Sequence, residues 1–192
     1  MRQIILSQKE ITEITRKFGQ IFTDMFKDDP LPPIFIGVMK GAVPFMIDLV
    51  REIDCPVLLD FMQVSSYLGT ESTGIISLKK DVSLDIRNRN VVIVEDIIDS
   101  GYTMNWLKNY LEKTYCPKKL LTCVLLDKKC KRKIPFECNF VGKEIGDYFI
   151  VGYGLDYDEF FRNEKEVYIP SQNQIEEIDK LREIEKKVEK QK

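Results

Sequence analysis

Residues 90–96, NVVIVED, place four β-branched apolar residues in a row with no polar residue between them. A strand with one wet face alternates apolar and polar positions. A continuous run has to be covered on both faces, as in a parallel sheet lying between helices. IFIGV (34–38) and KLLTCVLLDK (119–128) read the same way, and PVLLDFMQV (56–64), IISLKKDV (75–82) and a short final FIVGYG (149–154) read as further strands. Between these runs the period changes. Residues 8–26 repeat Ile11, Ile14, Phe18, Ile21, Phe22 and Met25 at helical spacing. FMIDLVREI, after MKGAVP, reads as a second helix with Pro44 in its first turn, and residues 102–114 as a third. This alternation predicts an α/β fold, a mostly parallel twisted sheet flanked by helices. The 192 residues suit one such domain with small additions.

Parallel sheets bind ligands beyond the carboxyl ends of their strands. Three polar clusters fall there: MKGA (39–42), EDIIDSGYT (95–103) and DKK (127–129). The middle one holds the most chemistry. Glu95 and Asp96 end the apolar run, where neighbouring strand side chains point to opposite faces unless the chain turns early. Adjacent carboxylates repel, and a ligand with hydroxyls, or Mg²⁺ held through them, relieves that cost. Asp99, Ser100, Gly101, Tyr102 and Thr103 then lead straight into a helix. The free N–H groups of such a turn form an anion cradle, Gly101 permits a positive φ, and Ser100 and Thr103 add hydroxyls. Asp99 is out of place beside an anion unless it serves another part of the substrate, where a desolvated carboxylate can act as a general base. A turn that only capped a helix needs one oxygen, not three carboxylates.

The chain has no histidine, which removes His triads, His metal sites and imidazole bases. Its 29 basic and 31 acidic residues leave a net charge of -2, which argues against a nucleic-acid partner. Cysteines at 55, 116, 123, 130 and 138 are odd in number and lack CxxC spacing, the pattern of reduced thiols in a cytosolic protein. MRQIILSQKEITEITRKF is too charged for a secretion signal, and no apolar run reaches the length of a membrane span. The expectation is a cytoplasmic protein with no membrane partner. Residues 171–192 carry a thin apolar stripe, Ile175, Ile178, Leu181, Ile184 and Val188, among alternating charges, and read as a charged helical tail resting on the body or on a partner.

VVIVEDIIDSGYT resembles the phosphoribosyl-diphosphate binding motif of the type I phosphoribosyltransferases. GVMKGA (37–42), SSYLGTESTG (65–74), LLDK (125–128) and VGKEIGDYFIVGYGLDYDEFFRN (141–163) narrow the resemblance to the hypoxanthine-guanine branch. It implies a domain over residues 1–170 with a mobile lid loop at about 65–82 and a small base-recognition hood mainly at 128–165. It implies transfer of 5-phosphoribosyl from its 1-diphosphate to N9 of hypoxanthine or guanine, giving IMP or GMP and pyrophosphate. On this resemblance Glu95 and Asp96 hold the ribose hydroxyls directly or through Mg²⁺, and Asp99 takes the proton of purine N7. Ser100, Gly101, Tyr102 and Thr103 cradle the 5′-phosphate, and Lys40, Gly41 and Arg162 meet the pyrophosphate. Lys128 bonds the 6-oxo group, Phe149 stacks on the ring, and Ile150 and Asp156 meet the 2-position through their backbone. The Asp156 carboxylate reaches a second Mg²⁺, and Ser66 and Tyr67 begin the lid. A homodimer or homotetramer is implied as well. Ser100 stands where threonine is commoner in the family, Ala42 replaces a frequent glycine or serine, and NEKEVYIP departs from the usual stretch after Arg162. Two other readings stay open: an enzyme that accepts xanthine, and a non-catalytic regulator on the same fold.

Overall fold

The computed structural model describes residues 2–66 and 76–189, with the side chains of Ser66 and Glu189 excepted. Its elements are β1 (Gln3–Leu6), α1 (Gln8–Phe26), β2 (Ile34–Met39), α2 (Val43–Arg51), β3 (Leu58–Ser66), β4 (Ile76–Lys80) and β5 (Asn90–Ile98). They continue with α3 (Tyr102–Tyr115), β6 (Lys119–Asp127), a 3₁₀ turn at Lys129–Lys131, β7 (Phe140–Glu144), β8 (Val167–Ile169) and α4 (Gln172–Glu189). Six strands form one sheet in the order β4-β3-β2-β5-β6-β7. All its pairings are parallel except β3 with β4.

The unalternating run at 90–96 is explained by what covers it. Val92 and Val94 pack with Phe22, Phe35, Phe45 and Leu49 on the α1–α2 face. Val91 and Ile93 pack with Met104, Leu107 and Leu111 on the α3 face. Burying each such side chain contributes about 1.5–3 kcal/mol, so the central strand alone anchors both layers. A capping box fixes the start of α1: Ser7 Oγ accepts from the Glu10 N–H, and the Glu10 carboxylate accepts from the Ser7 N–H. Lys143 on β7 then ties down Glu10 at 2.7 Å.

Two expectations change and one element is new. β5 runs on to Ile98, so Glu95 and Asp96 lie inside the strand rather than at its end. Residues 149–154 make only isolated bridges, Val151 to Tyr168 and Gly152 to Leu155. Positive φ at Gly152, Tyr153 and Gly154 breaks the extended path there. A separate two-stranded antiparallel ribbon, β1 with β8, brings the start of the chain beside residues 167–169. Those segments of four and three residues are too short to show a period.

α4 rests on the body through Ile178, which is buried, and leaves Leu181, Ile184 and Val188 exposed. Asp179 accepts from the Tyr157 hydroxyl at 2.8 Å, and Arg182 pairs with Asp158. Among the described residues no helix is long and apolar enough to cross a membrane, and all five cysteines are free.

Candidate active site

The carboxyl ends of β2, β5 and β6 supply Lys40, the segment 95–103 and Lys128. Strand alternation sends Glu95 toward the α3 side, as it does Val91 and Ile93, and Asp96 toward the α2 side, as it does Val92 and Val94. Asp96 is buried, and Glu95 is half-buried with its Oε2 enclosed. Glu95 Oε2 has no hydrogen-bond partner. Burial pushes its pKa well above the usual range, and the charge of Asp96 adds to that. Asp96 is 7% exposed and is raised to about 6, chiefly by burial. The Ile97 N–H donates to Asp96 Oδ1 at 2.8 Å and Arg162 opposes the rise, whereas Asp156 adds to it. A strand that encloses two adjacent acids, one of them unpartnered, is poised for a cation or for hydroxyl donors.

Beyond Ile98 the chain turns through Asp99 and Ser100 to Gly101, the N-cap of α3, at φ +87 with no side-chain cap. Apart from the Tyr102 N–H, which donates to the Ser100 hydroxyl, the first N–H groups of α3 are therefore left for a ligand. Here lies a cavity of about 260 Å³, lined by Glu95, Ile97, Asp99, Ser100, Gly101 and Thr103 among others. Tyr102 opens the helix, and its N–H reaches Ser100 Oγ at 3.5 Å. Lys128 belongs to a run, DKKCKRK, whose composition is that of a solvated loop, yet it is only 8% exposed. Its Nζ lies 3.5 Å from Asp99 Oδ1, so a buried ammonium and a half-exposed carboxylate face each other at the mouth of the turn.

A second cluster forms on the α2 side. The Met39–Lys40 peptide is cis. Lys40 Nζ meets Glu159 at 2.8 Å, and Arg162 meets Asp156 at 2.9 Å and Glu159 at 3.3 Å. Arg162 also donates to the Gly154 carbonyl at 2.7 Å. Asp156 takes a further bond from the Glu159 N–H, so both its oxygens are engaged. A Cβ on Gly41 would overlap the Asp96 carboxylate, which joins this cluster to the buried acids.

Phe149 is 54% exposed and stands edge-on to Tyr157, at 5.9 Å between centroids; it is no core aromatic. Its neighbour Ile150 is buried. Neither lines the 260 Å³ cavity. Ser66 closes β3, while Tyr67 and the following lid residues to 75 lie outside the described residues. Two participants went unread in the sequence. Ile97 presents an apolar wall in the same cavity as Asp99, and Glu159 bridges Lys40 and Arg162. The apolar run through Ile97 and Ile98 and the acid in DYDEFF were in view, but nothing local marked either. A larger cavity, about 550 Å³, is lined by Asp127, Arg132 and Phe136 and lacks the paired acids and the helix start.

The sequence model of the phosphoribosyl transferase domain family matches residues 2–158. The hypoxanthine-guanine phosphoribosyltransferase of Staphylococcus epidermidis is 43% identical over 164 residues, covering 85% of this chain and 90% of that one. A crystal structure of a hypoxanthine phosphoribosyltransferase from Staphylococcus aureus superposes with a TM-score of 0.83 at 37% identity, over 90% of this chain and 93% of the other. The Trypanosoma cruzi hypoxanthine phosphoribosyltransferase in complex with the product IMP does so at 0.81 and 34% identity, over 89% and 95%.

Proposed function

The chain belongs to the phosphoribosyl transferase domain family, in its hypoxanthine-guanine branch, and from that premise we propose the following reaction and division of labour among its residues. It is a purine salvage enzyme that transfers 5-phosphoribosyl from 5-phospho-α-D-ribose 1-diphosphate to N9 of hypoxanthine or guanine, releasing IMP or GMP and pyrophosphate. The observation that carries the reading is Asp99 at the mouth of an uncapped helix N-terminus, paired with the buried Lys128. That one arrangement offers an anion cradle, a proton acceptor and a donor for a carbonyl within a few ångströms of each other.

In this reading the turn 99–103 takes the 5′-phosphate on its free N–H groups, with the hydroxyls of Ser100 and Thr103. Glu95 and Asp96 accept from the ribose hydroxyls. Their burial supports the role, because both acids gain partners that they lack or share in the free protein. Lys40 and Arg162 neutralise the leaving pyrophosphate, which displaces the Glu159 carboxylate from these two cations, and Gly41 contacts it through the backbone. Asp99 accepts the N7 proton and directs electron density to N9 for attack at C1 with inversion. Lys128 donates to the 6-oxo group. It would confront the adenine amino group with a second donor, which is the physical reason to expect rejection of adenine. Phe149 stacks on one purine face and Ile97 covers the other. Ile150 and Asp156 contact the 2-position through the backbone.

Glu95 or Asp96 would hold one Mg²⁺ and Asp156 a second, and when bound the ions would supply positive charge to the diphosphate. Among the described residues no cluster of three or more ligands could hold a metal alone. We read residues 1–170 as the catalytic unit, about 65–82 as its lid, mainly 128–165 as its hood and 171–192 as an added tail. A cytoplasmic homodimer or homotetramer is the proposed working form.

Asp99→Asn tests the division of labour. With hypoxanthine as acceptor, kcat should fall by about 10²–10⁴, with the KM for phosphoribosyl diphosphate nearly kept. An unchanged kcat would remove Asp99 from the proton-transfer role.

A further inference from the structure

The loop that we read as the phosphate cradle has a buttress behind it. Arg132 Nη1 donates to the Asp99 carbonyl at 2.7 Å, and Nη2 donates to Asp127 Oδ1 at 2.5 Å. Asp127 is the last residue of β6 and is 2% exposed. The next two residues add backbone bonds: the N–H groups of Lys133 and Ile134 both donate to the Ser100 carbonyl, at 3.0 and 3.4 Å. Gly101 packs against the same segment, and a Cβ there would come within 2.9 Å of Arg132 Cδ.

The consequence follows from peptide geometry. In a planar trans peptide, the carbonyl of one residue and the N–H of the next point in opposite directions. Turning the Asp99 carbonyl toward Arg132 turns the Ser100 N–H away from it. Turning the Ser100 carbonyl toward Lys133 and Ile134 does the same for the Gly101 N–H. Both N–H groups then face away from the 132–134 segment, and both residues line the 260 Å³ cavity. Neither donates to another described residue. The guanidinium also polarises the peptide it bonds, which strengthens the N–H at its other end. Asp127 neutralises Arg132 and sets its fork, so the cation serves the loop without itself entering the cavity.

We propose that Arg132, held by the buried Asp127, is a positioning residue that aims the Ser100 and Gly101 N–H groups at the phosphate ester of the substrate. The proposal rests on reading 99–103 as the phosphate cradle. It adds a determinant from the basic run after β6, in which Lys129 and Lys131 instead pair with Glu144 and Asp147.

The test uses the full chain and two anionic ligands that dock at different places: IMP, through its 5′-phosphate, and magnesium pyrophosphate, at Lys40 and Arg162. Calorimetry would compare the wild type with Arg132→Lys and with the double variant Arg132→Gln/Asp127→Asn. The lysine keeps a partner for Asp127 but lacks the two-armed fork. The double variant leaves no buried charge unpaired. The Kd for IMP should rise about tenfold or more in the double variant and by less in Arg132→Lys, as expected for losing a charge-assisted hydrogen bond. The Kd for pyrophosphate should stay within about twofold, with thermal melting confirming a folded chain. An unchanged IMP affinity, or an equal loss for both ligands, would overturn the positioning role. Wild-type protein that binds neither ligand and forms no nucleotide would instead overturn the underlying assignment.

Discussion

Replacing Asp96 with asparagine should stabilise the free protein, and by an amount that depends on pH. The substitution is isosteric, and the amide oxygen of the new side chain can still accept from the Ile97 N–H that now bonds Asp96. What it removes is a carboxylate raised from the ordinary 3.8 to about 6, chiefly by burial. Below about pH 3 that group is protonated whether the chain is folded or not, and it costs the folded state nothing. Between about pH 4 and 6 the unfolded chain has released this proton while the folded chain still holds it, and above about 6 the folded chain ionises as well and the loss levels off. The stability held at low pH is therefore lost across this interval. At about 1.4 kcal/mol per tenfold change in proton affinity, the loss reaches about 3 kcal/mol at pH 8 and about 1 kcal/mol at pH 4.5. For a chain of this size 3 kcal/mol corresponds to about 6–12 °C in Tm. Thermal melts of both proteins at the two pH values, without Mg²⁺ or nucleotide, make the comparison. The advantage of the variant should grow as pH rises. An advantage equal at both pH values, or a variant less stable at pH 8, would refute the claim that the free enzyme holds Asp96 at an energetic cost. Phosphoribosyl diphosphate with Mg²⁺ should reverse the order, because only the wild type has the acid they engage.

Lys128→Met should lower kcat/KM for hypoxanthine by about 10- to 100-fold and narrow its lead over adenine, measured by steady-state kinetics with each base. Gly41→Ala should cost about 1–3 kcal/mol in urea unfolding and depress nucleotide formation, because its methyl group must displace the Asp96 carboxylate. Ending the chain after Pro170 removes Asp179 and Arg182, which hold Tyr157 and Asp158. Hydrogen exchange should then quicken at 156–162, with β5 and β6 unchanged.

The parts of this fold legible from sequence are those in which one residue pattern has one physical cause. The unbroken Val91–Val94 run could only be covered on both faces, and α1 and α3 cover it. The segment Glu95–Thr103 stood out because its three carboxylates, with the Ser100 and Thr103 hydroxyls, exceed what a helix cap needs. What escaped depends on tertiary contact. Lys128, Lys129, Lys131, Arg132 and Lys133 are alike in composition, yet the first is buried against Asp99 and the fourth is pinned by Asp127. Local spacing cannot separate them from neighbours that pair at the surface. The bends at 149–154 were misread as a strand for a related reason. FIVGYG is apolar enough to extend, but Gly152 and Gly154 take positive φ, where added Cβ atoms would meet the Glu166 and Gly41 carbonyls.

The most direct test of the central claim is to supply purified protein with phosphoribosyl diphosphate, Mg²⁺ and, separately, hypoxanthine, guanine, xanthine and adenine, and to quantify nucleotide and pyrophosphate. Hypoxanthine and guanine should give equimolar nucleotide and pyrophosphate, and adenine little; xanthine turnover would widen the acceptor range and leave the chemistry intact. Folded protein that forms no nucleotide from any base, or that uses adenine as readily as hypoxanthine, would contradict it.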